Sequence, residues 1–420
     1  MPITARLVAL IRSSRGNVIV AAAAALPVVI GAAGLGTDTM QWVLWKRQLQ
    51  RSADSAALSG AFALAQSKSA STSASADIVR TNEVRLSATP TIESPPSTGA
   101  GTGNSSAVRI VLETNRNLPF SSLFLASAPT IKAEATAAIV NSGNYCVISL
   151  EPTTTVGITM SGNSTVDMGC GMATNSKASS AVTAGGSSRI TATPVAAVGG
   201  LQSSNNYVGA TTLKPYQIPQ ADPFASLPDP VVPTGACQTV NAGPHDVQTI
   251  ANPTGTKCIR NVNIKGTVTF SPGVYYVDGG SFSVGAQGKV IGTGVTFILT
   301  SSNAATQPNT IAQVEMNGGA EISLSAPTTG TYKGVIFYQD RRATDQGDNK
   351  VNGNTNSYYQ GAFYFPKQEL KFNGTAGMST DCMQIVSRRV VFLGNSSIQN
   401  VCPNNSGSNA FTGSAVRLIG

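Results

Sequence analysis

Five short stretches beyond about residue 143 share one pattern: Gly, three mostly small residues, then an apolar one. They are "GNSTVDM" (162–168), "GSSRITA" (186–192), "GGAEISL" (318–324), "GTAGMST" (374–380) and "GNSSIQN" (394–400). The first two start 24 residues apart and the last two 20. That interval suits one coil of a solenoid, in which each turn buries its apolar positions only by stacking on its neighbours. Gly supplies the positive φ a corner needs, and Asn and Ser can form side-chain ladders along the stack. Strand-like segments of the same texture, "KGTVTFSPGVYYVDGG", "GTGVTFILTS", "KGVIFYQD" and "QGAFYFP", fill the space between. A mainly β chain is therefore expected, with residues 143–420 as a parallel β-helix-like solenoid. A β-sandwich of Gly-punctuated hairpins is the alternative.

The six cysteines repeat the same interval. Cys146 and Cys170 are 24 residues apart, Cys237 and Cys258 21, and Cys382 and Cys402 20. Residues one coil apart sit about 4.8 Å from each other, inside the roughly 4.4 to 6.8 Å window for disulfide Cα atoms. Six cysteines allow about 15 connectivities, and geometry favours pairing the neighbours. The Cys382–Cys402 pair is expected to matter most locally, because a final coil has a neighbour on one side only. Metal binding is disfavoured: no CxxC occurs and His245 is the only histidine. An even count of cysteines points to an oxidising compartment, so this part is expected to be exported and the amino terminus cytoplasmic.

Near the start, Val18 to Gly36 carries no charge and, at about 1.5 Å per residue, reaches roughly 28 Å, close to a hydrocarbon core. Pro27 is tolerable there because local adjustments re-satisfy the carbonyl it orphans. Arg6, Arg12 and Arg15 with Gly34 and Gly36 also allow a cleaved signal peptide, but the pattern continues. Trp42, Trp45, Leu49, Ala53, Ala56, Gly60 and Leu64 fall on one helix face, with Lys46, Arg47, Gln50, Arg51 and Asp54 opposite. A retained anchor is expected, with Trp42 and Trp45 near the headgroups. The boundaries read as a cytoplasmic tail (1–15), a transmembrane helix (16–37), a membrane-proximal helix and small α+β unit (38–142), and the solenoid (143–420). Within the α+β unit a second helix is expected over 75–86 and strands at "AVRIVLE" and "IKAEATAAIV".

Composition narrows the function. Charged residues are 11% of the chain, less than half the roughly 25% of an average soluble protein. The surface is solvated by hydroxyls and amides, as in secreted β-solenoids. A net charge of +8 is spread without a basic stripe interleaved with aromatics, so nucleic acid is not an expected partner. For an enzyme, the densest candidate is "YQDRRATDQGDNK" (338–350), with Asp340, Arg341, Arg342, Asp345 and Asp348; a solvated loop between coils explains it as well. Asp278 lies beside two tyrosines, and His245 adjoins Asp246 without a serine or cysteine motif. No glycine loop is followed by GKS or GKT. No catalytic, cofactor-binding or metal residues are assigned.

"RGNVIVAAAAALPVVIGAAGLGTD" followed by "KRQLQRSADSAALSGA" resembles the amino-terminal signature of TadG-like proteins of the tight-adherence, Flp-type pilus assembly systems of bacteria. The specific part covers about residues 13–66, and the Gly- and Asn-rich remainder, with "CVISL", "SGNST", "PGVYYV" and "GVIFYQD", is similar to the exported region of some members. The resemblance implies a single-pass inner-membrane protein projecting outward, tied to pilus biogenesis and adherence, with no catalytic residues to carry over. The von Willebrand type A-like module of other members has no counterpart here. A type IV pilin would carry Glu at the fifth position of its mature helix, which counted from Asn17 is Ala21, so an uncleaved anchor is favoured over a polymerised subunit. Expected partners are pilus-assembly proteins of the cell envelope, the lipid bilayer and, as a further candidate, surface glycans. A solenoid polysaccharide lyase or hydrolase, or a glycan-binding adhesin, is the alternative function.

Overall fold

The computed structural model describes residues 17–123, 125–374, 378–395, 397–400 and 410–420, by backbone alone at 17, 374, 378–382 and 397–400. The chain divides into two compact units, one running to Val140 and including Val416–Gly420, the other Asn141–Ala415.

In the first unit α1 (Asn17–Ala65) is one unbroken helix of 49 residues, about 73 Å long, and Pro27 lies inside it without ending it. Its two halves differ. From Val18 to Leu44 the large apolar side chains other than Trp42 are exposed, whereas Leu49, Ala53, Ala56, Ala57 and Ala61 are fully buried. The buried half packs on α2 (Ala70–Thr81) and on an antiparallel sheet of β1 (Thr91–Glu93), β2 (Ala107–Asn115) and the first half of β3 (Thr130–Ser149). Gly60 allows the close approach: a Cβ there would lie 2.9 Å from Val108 Cγ1. The second helix starts earlier than the expected 75–86. Ser69 caps it by accepting the Thr72 N–H at 3.3 Å, and the Ala/Ser/Thr-rich turn it opens has little apolar periodicity to announce it. The chain end returns to this sheet, with the Ile419 N–H on the Thr136 carbonyl at 2.8 Å.

The second unit is a β-solenoid of about 11 turns, not a sandwich; among the described residues the ladders between its turns are parallel. Three strips of strand run along it. The first contains 273–278, 295–300, 335–339 and 361–365; the second 281–284, 313–316 and 369–374; the third 267–270, 289–293 and 321–325. Interior side chains stack in columns. Tyr275, Phe297, Phe337 and Phe363 occupy consecutive turns with ring centroids 5.6, 5.3 and 5.6 Å apart. Each fully buried Phe contributes roughly 1.5–3 kcal/mol relative to exposure.

The turns are not stacked in chain order. The strand 378–394 pairs on one side with 358–374 and on the other with 147–149 and 158–160, while 397–399 pairs with 165–167. The turns at 171–191 and 195–214 then continue away from that seam. The column crosses the seam without a break: Phe363, Ile385, Val147, Met172 and Val195 are register partners. So does the glycine corner. Gly394, Gly162 and Gly186 have φ of 71°, 75° and 65°; a Cβ on Gly186 would meet Gly162 O at 2.9 Å, and one on Gly162 would meet Gly394 O at 3.0 Å. The Asn163 amide donates to Asn395 Oδ1 at 3.2 Å as the ladder between them.

Chain order is reconciled by a strap over 215–237 that runs back along the outside of the first strip. Pro215, Pro219, Pro223, Pro228, Pro230 and Pro233 lie in it, and proline keeps a segment extended and out of a ladder. Its contacts follow the return path: the Gln217 N–H on Ala197 O (2.8 Å), Asp222 accepting from the Tyr364 hydroxyl (2.6 Å), Pro228 O from Tyr338 (3.2 Å) and Pro230 O from Arg342 (2.8 Å).

The expectation that 382–402 closes a terminal coil is therefore corrected. The turn carrying Cys382 has neighbours on both faces, and stacking 145–167 on it removes two sheet edges at once. Cys146 is bonded to Cys170 and Cys237 to Cys258, with Cα atoms 5.8 and 4.6 Å apart, each across one turn. Cys402 lies outside the described residues, as does the Cys382 side chain.

Candidate functional site

Two places in the molecule concentrate unusual chemistry. One is α1. It is the one helix among the described residues long and apolar enough to cross a membrane, and its exposed stretch runs from Val18 to Leu44. Gly36 is exposed on it. Trp45 is buried and Trp42 half-buried, both packed on the first unit's core. The Arg116 guanidinium sits 5.4 Å over the Trp45 ring. The face expected to be apolar is the one that is buried, and Lys46, Arg47 and Arg51 are exposed.

The other is the solenoid seam. Glu151, just past β3, is fully buried. Its carboxylate accepts from Arg388 Nε at 2.9 Å, Arg389 Nη1 at 2.8 Å, and the Thr153 N–H and hydroxyl at 3.0 and 2.6 Å. Arg389 also reaches Asp345 at 2.7 Å and Glu369 at 3.2 Å, and Arg388 reaches Asp345 at 3.2 Å. Burial alone would raise the Glu151 carboxyl; the bonds from Thr153, Arg388 and Arg389 outweigh it and hold the group at about 2. Sequence reading missed this clasp. The adjacent Arg388 and Arg389 in a chain so poor in charge were the available signal.

The residues weighed for catalysis are engaged in structure. Asp340 is buried, not in a solvated loop: it accepts from the Thr300 hydroxyl at 2.7 Å and pairs with Arg342 at 2.5 Å. Arg341 lies 5.5 Å from the rings of both Tyr338 and Tyr364. It donates to Tyr364 Oη at 2.8 Å, to the strap carbonyl of Leu227 at 2.7 Å, and to that of Phe224. Asp345 belongs to the seam network, and Asp348 sits 2.9 Å from both Lys350 and Lys371. Asp278 accepts the Ser302 N–H at 2.6 Å and faces Arg260 at 3.6 Å. It also lies near Cys237 and Cys258, whose sulfurs are committed to each other. His245 is exposed and Asp246 accepts the Gly243 N–H at 2.8 Å. A cleft of 570 Å³ is lined by Tyr276, Tyr332, Pro272, Pro327 and threonine hydroxyls, with no ionisable group besides the two phenols; it offers a neutral polar surface and no general acid–base pair.

Residues 16–66 match the family model of putative Flp pilus-assembly TadE/G-like proteins. The TadE/G-like segment coincides with α1, Asn17–Ala65, and ends where the helix ends. It includes both the exposed apolar half and the half that packs on the first unit. No curated protein and no solved structure shows a significant match to the chain.

Proposed function

We propose that the chain is a membrane-anchored structural component of Flp pilus assembly, its β-solenoid serving on the far side of the inner membrane as a scaffold or interaction surface. The observation that carries this is the coincidence of the TadE/G-like match with a helix that is apolar and uncovered over one half and packed over the other. Such a helix suits anchoring through its first half and rigid attachment to a folded unit through its second. The disulfides Cys146–Cys170 and Cys237–Cys258 favour an oxidising compartment for the solenoid; on this reading the amino terminus is cytoplasmic and the partners are pilus-assembly proteins of the envelope.

The test is genetic. A strain lacking the chain should lose Flp pili and adherence to a surface, and the full-length chain supplied in trans should restore both. Piliation and adherence at parental levels in the deletion strain would overturn the proposal.

A further inference from the structure

The turn that follows β2 packs Leu118 and Phe120 on its own unit and leaves Leu123 and Leu125 exposed. Phe120 lies against Gly34: a Cβ on Gly34 would come 2.2 Å from the Phe120 ring, so the glycine is the notch that admits it. One helical turn further on, the Asp38 carboxylate is buried and accepts the Ser121 N–H at 2.5 Å. The Thr37 and Thr39 hydroxyls turn back onto the carbonyls of Gly34 and Leu35 at 2.7 and 2.8 Å. Polar groups at this level of α1 are thus satisfied internally. Past these contacts, Leu123 is 74% and Leu125 46% exposed.

The level of the turn follows from the helix. Exposed apolar side chains run along α1 from Val18 to Leu44, and a span needs about 20 residues. Every window of that length within 18–44 contains Gly34. A ring seated on Gly34 therefore sits within the hydrocarbon or at its border, and Leu123 and Leu125 follow it in a tight turn, the Leu123 N–H on the Phe120 carbonyl at 3.2 Å and the Leu125 N–H on that of Ser121 at 2.8 Å. A carboxylate there is costly unless it is bonded, and Ser121 supplies that bond.

We propose that the turn carrying Phe120, Leu123 and Leu125 dips into the bilayer that α1 crosses, placing the two leucines in the acyl-chain border of the leaflet on its side. The inference rests on α1 being a membrane span. A single helix leaves its own rotation and tilt free. A second, shallow contact beside it fixes both, and so fixes which face of the first unit's helix pair points along the membrane.

The test uses the full-length chain in vesicles of phosphatidylethanolamine and phosphatidylglycerol. An environment-sensitive thiol label is placed on Leu123→Cys, on Val29→Cys in the helix, and on Val79→Cys, which is 83% exposed on α2, with the labelled wild-type chain as blank. Quenching is measured with lipids carrying doxyl groups at shallow or deep acyl positions. The label at 123 should be quenched several-fold more than that at 79, and more by shallow than by deep doxyl. Strong quenching at 29 with the 123 label no different from 79 would overturn the inference and leave the anchor standing. No quenching at 29 would overturn both. A label at 123 shielded from aqueous iodide only when other pilus-assembly proteins are added would assign the turn to a protein partner and also overturn it.

Discussion

Replacing Glu151 by Gln probes the seam at its most charged point. The carboxyl is held at about 2 against an ordinary 4.5. Each unit of such a shift corresponds to about 1.36 kcal/mol, so the charged form contributes about 3 kcal/mol to the folded state. Removing one partner of a buried pair costs roughly 3–5 kcal/mol when the other is stranded. Here neither arginine is stranded, because Arg389 keeps Asp345 and Glu369 and Arg388 keeps Asp345. The expected loss at pH 7 is therefore about 2–3 kcal/mol. Because the folded value lies below the unfolded one, the contribution is complete above about 4.5, drains away as the pH falls, and is gone below about 2. Urea unfolding of the full-length chain in detergent at pH 7, 4 and 2 measures it. The gap between wild type and Glu151→Gln should be widest at pH 7 and close by pH 2. Amide exchange in the variant should accelerate first at 145–149 and 383–387. A gap under about 0.5 kcal/mol at pH 7, of the size of an exposed pair, or one that persists at pH 2, would refute the clasp.

Two further substitutions address the strap and the loop below it. Arg341→Ala removes a cation held between two tyrosines and two strap carbonyls; with charged hydrogen bonds worth about 1.5–3 kcal/mol, limited proteolysis should shift to residues 215–236 while the solenoid strands stay protected. Asp340→Asn leaves Arg342 with the Pro230 carbonyl as its main acceptor and should lower stability by about 1–3 kcal/mol, less than a fully buried break because Arg342 is partly exposed. Thermal unfolding of the full chain checks this, and an unchanged midpoint would restore the solvated-loop reading.

Much of this was legible in the sequence, for identifiable reasons. The stretches at 162 and 186 are register neighbours, and so are those at 374 and 394, because a corner glycine followed by small residues and one inward apolar residue is what a turn of this width requires. The helix face from Trp42 to Leu64 was readable because three- and four-residue spacing survives into burial. The order of the turns was not. A parallel ladder between stacked columns of Ile, Val, Met and Phe accepts any neighbour of like size, so nothing local distinguishes the 394 turn stacking on 162 from its lying at an end. The prolines of 215–233 were the one trace of the return strap, and they read equally well as a linker. The burial of Glu151 and Asp340 was invisible for a related reason: pattern reading places charge in solvent, and the exceptions rest on partners brought up by the fold, Arg388 and Arg389 from more than 200 residues away for Glu151, and Thr300 on the preceding turn together with Arg342 for Asp340.

The order of stacking is the claim on which the seam, the strap and the glycine corner all depend. Thr159 and Val391 are register partners on adjacent parallel strands and both are partly exposed. If the turns were stacked in chain order, they would be roughly 40 Å apart at about 4.8 Å per turn. Thr159→Cys combined with Val391→Cys in the full-length chain, treated with a short bifunctional methanethiosulfonate and mapped by non-reducing peptide analysis, should give an intramolecular link between the two peptides in high yield. Absence of that link, in a protein whose Cys146–Cys170 and Cys237–Cys258 bridges are recovered intact, would contradict the out-of-order solenoid.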